Sequence, residues 1–232
     1  MIGVLVNVLA VVVGSILGIL FKKGIPEKVT KTIMTGLGLC VIYIGVSGAL
    51  EGSNPIIAVI CMAVGGAVGG LINIHKQINR LGDKIASVFK NRDGQSTIAE
   101  GFVSASLMFC VGAMTIVGSL NSGLGVEGGI EMIYTKSVLD LISSTLLAAS
   151  LGFGVIFSAL FVLIFQGGIV LLAEFLQPLL TTEVISELTC VGSLMIIGLG
   201  LNLTCNAKIR VANYMPALVV VPLAVWIASL VG

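Results

Sequence analysis

The chain has 232 residues, of which 57% are hydrophobic and only 10% are charged, with a mean hydropathy of +1.16. A soluble domain carries about 25% charged residues, and a globular protein of this size has too much surface to hide so much apolar area. The composition therefore excludes an ordinary soluble domain. It predicts an all-α, polytopic transmembrane helical bundle that forms a single domain over residues 1–232.

Apolar runs that approach the roughly 20 residues needed to cross the hydrocarbon core recur along the chain. We predict about eight spans, at residues 2–21, 33–50, 56–74, 101–120, 135–151, 153–176, 186–203 and 212–231. The fifth and sixth are separated only by Leu151-Gly152-Phe153-Gly154. Two helices joined by a tight turn fit residues 135–176, and one span plus a re-entrant segment is the competing interpretation.

The basic residues predict the orientation of these spans. Eleven of the twelve Lys and Arg residues lie in loops that follow the first, third and seventh spans. The positive-inside rule makes these loops cytoplasmic, so both termini are expected outside a cell (inner) membrane. The opposite loops carry only acidic charges, at Glu51, Glu127, Glu131, Glu183 and Glu187. The first helix is expected to be retained, because its basic residues, Lys22 and Lys23, follow the apolar run instead of preceding it.

The longest connection, residues 75–99, is expected to be a cytoplasmic loop with a helix of its own. Apolar residues recur in it at helical spacing, at Ile78, Leu81, Ile85, Val88 and Phe89. The basic residues lie largely elsewhere on that helix. This pattern predicts an amphipathic helix at the membrane surface, facing anionic headgroups.

An internal echo relates the fourth and seventh spans. Residues 110–118 read C-V-G-A-M-T-I-V-G and residues 190–198 read C-V-G-S-L-M-I-I-G, with five of nine positions identical. The two segments are offset by three spans along the chain, so they are predicted to run in opposite directions. We interpret the echo as an inverted repeat, the construction of many transporters; chance similarity among abundant Gly, Val and Ile is the alternative.

The fifth span carries the richest set of polar residues. Lys136, Asp140, Ser143 and Ser144 share one helical face, and Ser137 lies beside them. Ionisable groups inside a span are costly and usually line a functional path, so this face predicts a polar funnel for substrate or ion. In the alternative interpretation Lys136 reaches the headgroups, Asp140 neutralises it, and the serines bond to helix carbonyls.

Polar residues of other spans complete the predicted pathway. They are Asn7 in the first span, Ser106 in the fourth, Gln166 in the sixth and Asn202 at the end of the seventh. Gln166 precedes Gly167-Gly168, which is typical of a broken helix beside a cavity and equally of close helix packing.

Catalytic chemistry has no support in the sequence. The five cysteines form no CxxC pair and the single histidine, His75, lies in a basic stretch. We expect no enzyme activity, no catalytic residues, no cofactor and no metal. The expected partners are the lipid bilayer and a small solute or ion, without nucleic acid; a homo-oligomer is compatible with the sequence.

Several stretches carry a family resemblance. They read G-F-V-S-A-S-L-M-F-C-V-G-A-M-T-I-V-G-S-L at 101–120, K-S-V-L-D at 136–140 and K-I-R-V-A-N-Y-M-P-A-L at 208–218. The chain resembles the bacterial membrane family catalogued as domain of unknown function 554. The resemblance implies an integral inner-membrane protein and supplies no substrate. One departure is Gly70, near which the family often has an acidic residue.

The function predicted from the residues is a membrane transporter or channel for a small solute or ion, with its polar pathway along the fifth span. The alternative is a structural or regulatory subunit of a membrane complex without transport activity of its own.

Overall fold

A computed structural model describes residues 1–22, 27–77, 80, 95–110, 112–126 and 128–231. The helices in these ranges are α1 (Ile2–Lys22), α2 (Glu27–Ala49), α3 (Pro55–Ile72), α4 (Gln95–Cys110), α5 (Ala113–Gly123), α6 (Gly129–Leu151), α7 (Ser158–Leu171), α8 (Ala173–Leu176), α9 (Thr182–Cys205) and α10 (Pro216–Val231). Two 3-10 helices, Gly152–Phe157 and Val211–Tyr214, lie between them. The described residues contain no strand, which confirms the all-α prediction.

Apolar helical segments long enough to cross a membrane number five in the described chain, or six if α4 and α5 form one bent span. α2 adds a shorter apolar segment, Thr35–Ala49. The count of about eight spans is therefore not confirmed, although the first span begins and ends within a residue of its predicted bounds. The predicted fifth span and most of the predicted sixth lie in one helical run of 43 residues, Gly129–Leu171.

α1 and α6 run parallel and in close contact. Gly3 lies against Ile133 near their starts, and Gly14 lies against Ser144 further along. A Cβ atom at Gly14 would overlap the Ser144 hydroxyl and the Leu141 carbonyl. Small residues allow this approach, which supplies van der Waals packing where lipid removes the hydrophobic driving force.

The chain reverses direction after α6. Asn7 on α1 donates a hydrogen bond to Gln166 on α7, and Gly167 faces Met1. Because α6 runs away from Met1 and α7 returns toward it, the reversal falls in the 3-10 helix that begins at Gly152. That glycine has φ +77°, a conformation that L side chains rarely adopt. The turn predicted at residues 151–154 is thus present.

The remaining spans pair around α9. Contacts of Gly45 with Ile197 and of Gly52 with Cys190 show α2 running antiparallel to α9, and α3 packs on α10 where Gly65 meets Ala217. A shared apolar core joins this group to α1, α4 and α6, and it includes Val11, Phe109, Leu147, Met195 and Leu199.

Charged groups separate to the two ends of the bundle. His75, Lys208 and Arg210 gather at one end, where α3 and α9 finish and α4 begins; we call it the basic end. Glu131 and Glu183 lie in the first turns of α6 and α9, at the opposite end. These basic and acidic residues of the described chain therefore lie at opposite ends of the bundle, although Glu100 also lies at the basic end.

Some predictions are changed by the structure or fall outside it. Glu187, assigned to a loop, lies inside α9 and is buried, because the helix begins at Thr182. Most of the predicted amphipathic helix at residues 75–99 lies outside the described residues, as does Glu127. Residues 190–198 are continuous helix, whereas residues 110–118 include the junction between α4 and α5. The inverted repeat stays a prediction.

Candidate functional site

A buried ion pair lies near the middle of α6. Lys136 and Asp140 are one helical turn apart, only 5% and 6% exposed, and their side chains are in direct contact. Counted from Gly129 at 1.5 Å per residue, they lie about 10 and 16 Å into the helix. Lys136 therefore does not reach the helix end, and the pair is the only ion pair among the described residues.

Two amide side chains from other helices meet this pair. Asn7 donates to the Gln166 side-chain oxygen at 2.7 Å, and both residues are fully buried. The Asn7 amide also faces the Asp140 carboxylate, close enough to interact with it. The Asn7 oxygen and the Gln166 nitrogen have no hydrogen-bond partner. One acceptor and one donor are thus left open beside the ion pair.

A helix break lies close to the same ion pair. α4 ends at Cys110 and α5 begins at Ala113, with a 61° change in direction. The buried Thr115 hydroxyl donates to the Phe109 carbonyl at 2.8 Å, which satisfies one backbone group freed by the break. The Lys136 ammonium lies 5.8 Å from the centre of the Phe109 ring, a cation–π distance.

We call Asn7, Lys136, Asp140 and Gln166, together with the break at Cys110–Ala113, the Asp140 cluster. Its four side chains come from α1, α6 and α7, and the break adds backbone from α4 and α5. Discontinuous helices at mid-membrane depth are a common way to expose backbone groups to a substrate or ion. The sequence analysis named all four side chains but placed no break here.

The serines of the predicted funnel pack between helices. Ser137 donates to the Ile133 carbonyl at 2.8 Å and Ser144 to the Leu141 carbonyl at 3.0 Å. Ser144 lies under Gly14 of α1, and Ser143 is half-buried. α1 therefore covers the polar face of α6, and the stripe below Asp140 is a packed helix interface.

Ser106 and Asn202, two further residues of the predicted pathway, lie in different parts of the structure. Ser106 is buried on α4, one turn before Cys110, and its hydroxyl has no partner. Asn202 lies at the basic end, where its amide nitrogen donates to the Ile209 carbonyl and its oxygen accepts from the Ile209 N–H, both at 2.8 Å. Asn202 thus fixes a loop and is not part of the Asp140 cluster.

The glycines beside Gln166 do not break their helix. α7 runs without interruption from Ser158 to Leu171. The break occurs instead between Cys110 and Ala113, and the sequence there resembles many other stretches in a chain with 30 glycines. No local signal separates this stretch from the rest, so the sequence alone does not predict the break.

Glu187 is a second buried carboxylate, which the sequence analysis missed as a site. It is 1% exposed, and one of its oxygens accepts from the N–H groups of Ser53 and Asn54 and from the Ser53 hydroxyl, at 2.8–3.0 Å. These groups lie at the start of α3, where N–H groups lack helical partners and favour negative charge. Its other oxygen has no partner.

The two carboxylates differ in what they can do chemically. Asp140 is neutralised by a side chain, which can rotate away and leave the carboxylate to a proton or another cation. Lys136 can likewise accept an anionic group in place of Asp140. Among the described residues no group of three or more His, Cys, Asp and Glu side chains is arranged to hold a metal ion.

These features define a polytopic helical membrane protein with a polar cluster buried between its helices. The chain belongs to the family described as Protein of unknown function (DUF554), whose model matches residues 2–226. It is similar to the uncharacterized membrane protein YdfK of Bacillus subtilis (strain 168), with 30% identity over 236 residues, covering 100% of this chain and 99% of the relative. It is also similar to the uncharacterized protein YqgA of Escherichia coli (strain K12), with 27% identity over 232 residues and 98% of each chain covered. No solved structure gives a significant match.

Proposed function

We propose that the protein is a transporter or channel that moves a small solute or ion across the cell membrane through the Asp140 cluster, without enzymatic chemistry. One observation carries this proposal. A buried ion pair, two amides that each have an unpaired hydrogen-bonding group and a helix break lie together inside the bundle. Ionisable groups at such depth are expensive, and they mark substrate or ion paths in many membrane proteins.

The proposed working step is an exchange of partners at the ion pair. A proton or cation that binds Asp140 releases Lys136, and the released ammonium then attracts an anionic solute. The open Asn7 oxygen and Gln166 nitrogen offer an acceptor and a donor for the incoming group. Removing either charge should therefore stop transport.

The proposed orientation places the basic end in the cytoplasm and both termini outside, in the inner membrane of a bacterium. The positive-inside rule supports it, because Lys76, Lys208 and Arg210 lie at one end. Single cysteines at Glu51 and Lys76, in a variant without the native cysteines, test it with an impermeant maleimide on intact cells. We expect labelling at position 51 alone; labelling at position 76 alone would reverse the orientation.

Flux into liposomes tests the transport proposal. Wild type is screened against ions and small metabolites, and Asp140→Asn is compared with Glu187→Gln, which neutralises a carboxylate of similar burial outside the cluster. We expect Asp140→Asn to abolish flux and Glu187→Gln to retain it per folded molecule. Equal flux in wild type and Asp140→Asn would refute a path through this cluster.

A structural or regulatory subunit is the second candidate function. It is favoured by the hydroxyls of Ser137, Ser144 and Thr145, which all bond to carbonyls of their own helix and so serve packing. A folded wild-type protein that moves no solute in a broad screen, and that co-purifies with a stable partner, would support this function instead.

A further inference from the structure

A cavity of about 300 Å³ opens at the basic end, away from the Asp140 cluster. Its walls come from the start of α4, the end of α9 and the loop that follows α9. It therefore lies where the two groups of helices meet, a common location for ligand sites. Its polar and charged lining includes His75, Glu100, Ser104, Asn202, Lys208 and Arg210.

The loop that carries the cations is held in a fixed shape. The side-chain amide of Asn202 forms two hydrogen bonds with the backbone of Ile209, one with its carbonyl and one with its N–H. Lys208 has φ +56°, which is uncommon for a residue with a side chain. The two bonds fix the backbone of Ile209, the residue between Lys208 and Arg210 in the chain. Both cations are thus presented from an ordered backbone.

The charged residues of the described chain that line the cavity leave a positive excess. Neither Lys208 nor Arg210 has a carboxylate within ion-pair distance among the described residues. The pKa of His75 lies below its ordinary value because burial disfavours the charged imidazole, and Arg210 adds to the effect. Burial thus favours the neutral form of His75, and Glu100 offsets only one of the two cations.

A buried hydroxyl adds a donor that nothing in the protein uses. Ser104 is 3% exposed, lines the cavity, and has no hydrogen-bond partner for its Oγ atom. Unsatisfied polar atoms of this kind are rare in folded proteins, because each loses its bonds to water on burial. A ligand that accepts hydrogen bonds would satisfy it.

We propose that this cavity binds a small oxyanion, with Arg210 and Lys208 as its charge partners and Ser104 as a hydrogen-bond donor. The planar guanidinium of Arg210 suits two oxygens of one phosphate or carboxylate group. Because the cavity opens at one end of the helices, the group belongs either to a soluble molecule or to the headgroup of an anionic lipid. The two sources share the same chemistry at the site.

Binding of inorganic phosphate to the purified full-length protein in maltoside detergent tests the proposal. Calorimetry is performed at constant ionic strength, set with potassium chloride. We expect saturable binding that weakens about tenfold or more in Arg210→Gln and Lys208→Gln, since a hydrogen bond to a charged group carries roughly that factor. Ser104→Ala should weaken binding by a smaller factor.

Three further measurements make the result specific. Lys76→Gln removes an exposed cation at the same end that does not line the cavity, so binding should be unchanged. The double variant Lys136→Met/Asp140→Leu removes the ammonium to which the transport proposal assigns anion attraction, and it should still bind phosphate as wild type does, which separates this site from the transport proposal. Phosphatidylglycerol added in the same detergent should displace phosphate if the headgroup uses the site, and binding of this lipid alone, lost in Arg210→Gln, identifies the lipid as the source.

The proposal fails if neither phosphate nor phosphatidylglycerol binds saturably to a protein with wild-type helicity and elution volume. It also fails if Lys76→Gln weakens binding as much as Arg210→Gln, because the effect would then be general attraction to the basic end.

Discussion

Asp140 and Glu187 are both buried carboxylates, but their partners differ in kind. Asp140 meets an ammonium side chain and an amide, at a place where one helix is broken. Glu187 meets two backbone N–H groups and a hydroxyl at the start of an intact helix. Two of the partners of Glu187 are backbone groups, which cannot leave without unfolding the start of α3, whereas the charge partner of Asp140 is a side chain. A removable partner permits exchange, and backbone partners favour a fixed structural role.

The largest effect is expected from breaking the Asp140 ion pair. Asp140→Asn leaves Lys136 buried without a countercharge, which should lower the free energy of unfolding by about 3–5 kcal/mol. Denaturation in detergent, followed by circular dichroism, measures the change. The double variant Lys136→Met/Asp140→Leu should recover most of the stability and still lack transport. Transport by a stable double variant would contradict the role given to the pair.

A smaller effect is expected from the packing that holds α1 on this pair. Gly14→Ala places a methyl group against Ser144 and the Leu141 carbonyl, and overpacking of this kind costs about 1–3 kcal/mol. Gly36→Ala is the matched control, because no atom lies within 4 Å of its added carbon. Thermal unfolding should separate the two. Equal midpoints would contradict the close approach of α1 and α6.

Neutralising Glu187 should cost less than neutralising Asp140. Glu187→Gln keeps an acceptor for Ser53 and Asn54 and loses only the charge, so we expect a loss of about 1–2 kcal/mol. Comparing the two variants in the same unfolding assay tests the contrast directly. A larger loss in Glu187→Gln would mean that Glu187 matters more for the fold than Asp140 does.

The smallest effect on stability is expected at Asn202. Asn202→Ala removes two hydrogen bonds to Ile209 at a half-buried position, for about 1 kcal/mol. Phosphate affinity should nevertheless fall several-fold, because Lys208 and Arg210 lose their fixed backbone. Gln77→Ala, which removes an exposed hydrogen bond to Ile72, is the control. If the two variants bind phosphate equally, the loop does not depend on Asn202.

The bounds of the helices were predictable where hydropathy alone determines them. α1 and the end of α6 at Leu151 fall at the predicted residues, because long apolar runs and a glycine turn leave a clear pattern. The polar candidates Asn7, Lys136, Asp140 and Gln166 stood out for the same reason, since polar residues are rare in such runs. Their meeting at one point was not predictable, because it depends on the reversal at Gly152 and on helix rotation. Glu187 was misplaced because an acidic residue near the end of an apolar run resembles a loop residue.

The pairing of helices has a consequence for how the protein is made. α1 ends at Lys22, but its close partner α6 begins only at Gly129, and α2 and α3 likewise pack on α9 and α10. During translation the first three helices are therefore completed long before their partners have been synthesised. Asn7 and Gly14 have no contact with α6 until that helix has been synthesised. Assembly of the bundle is thus a late event, and a chain halted before Gly129 would have three helices without the neighbours they need.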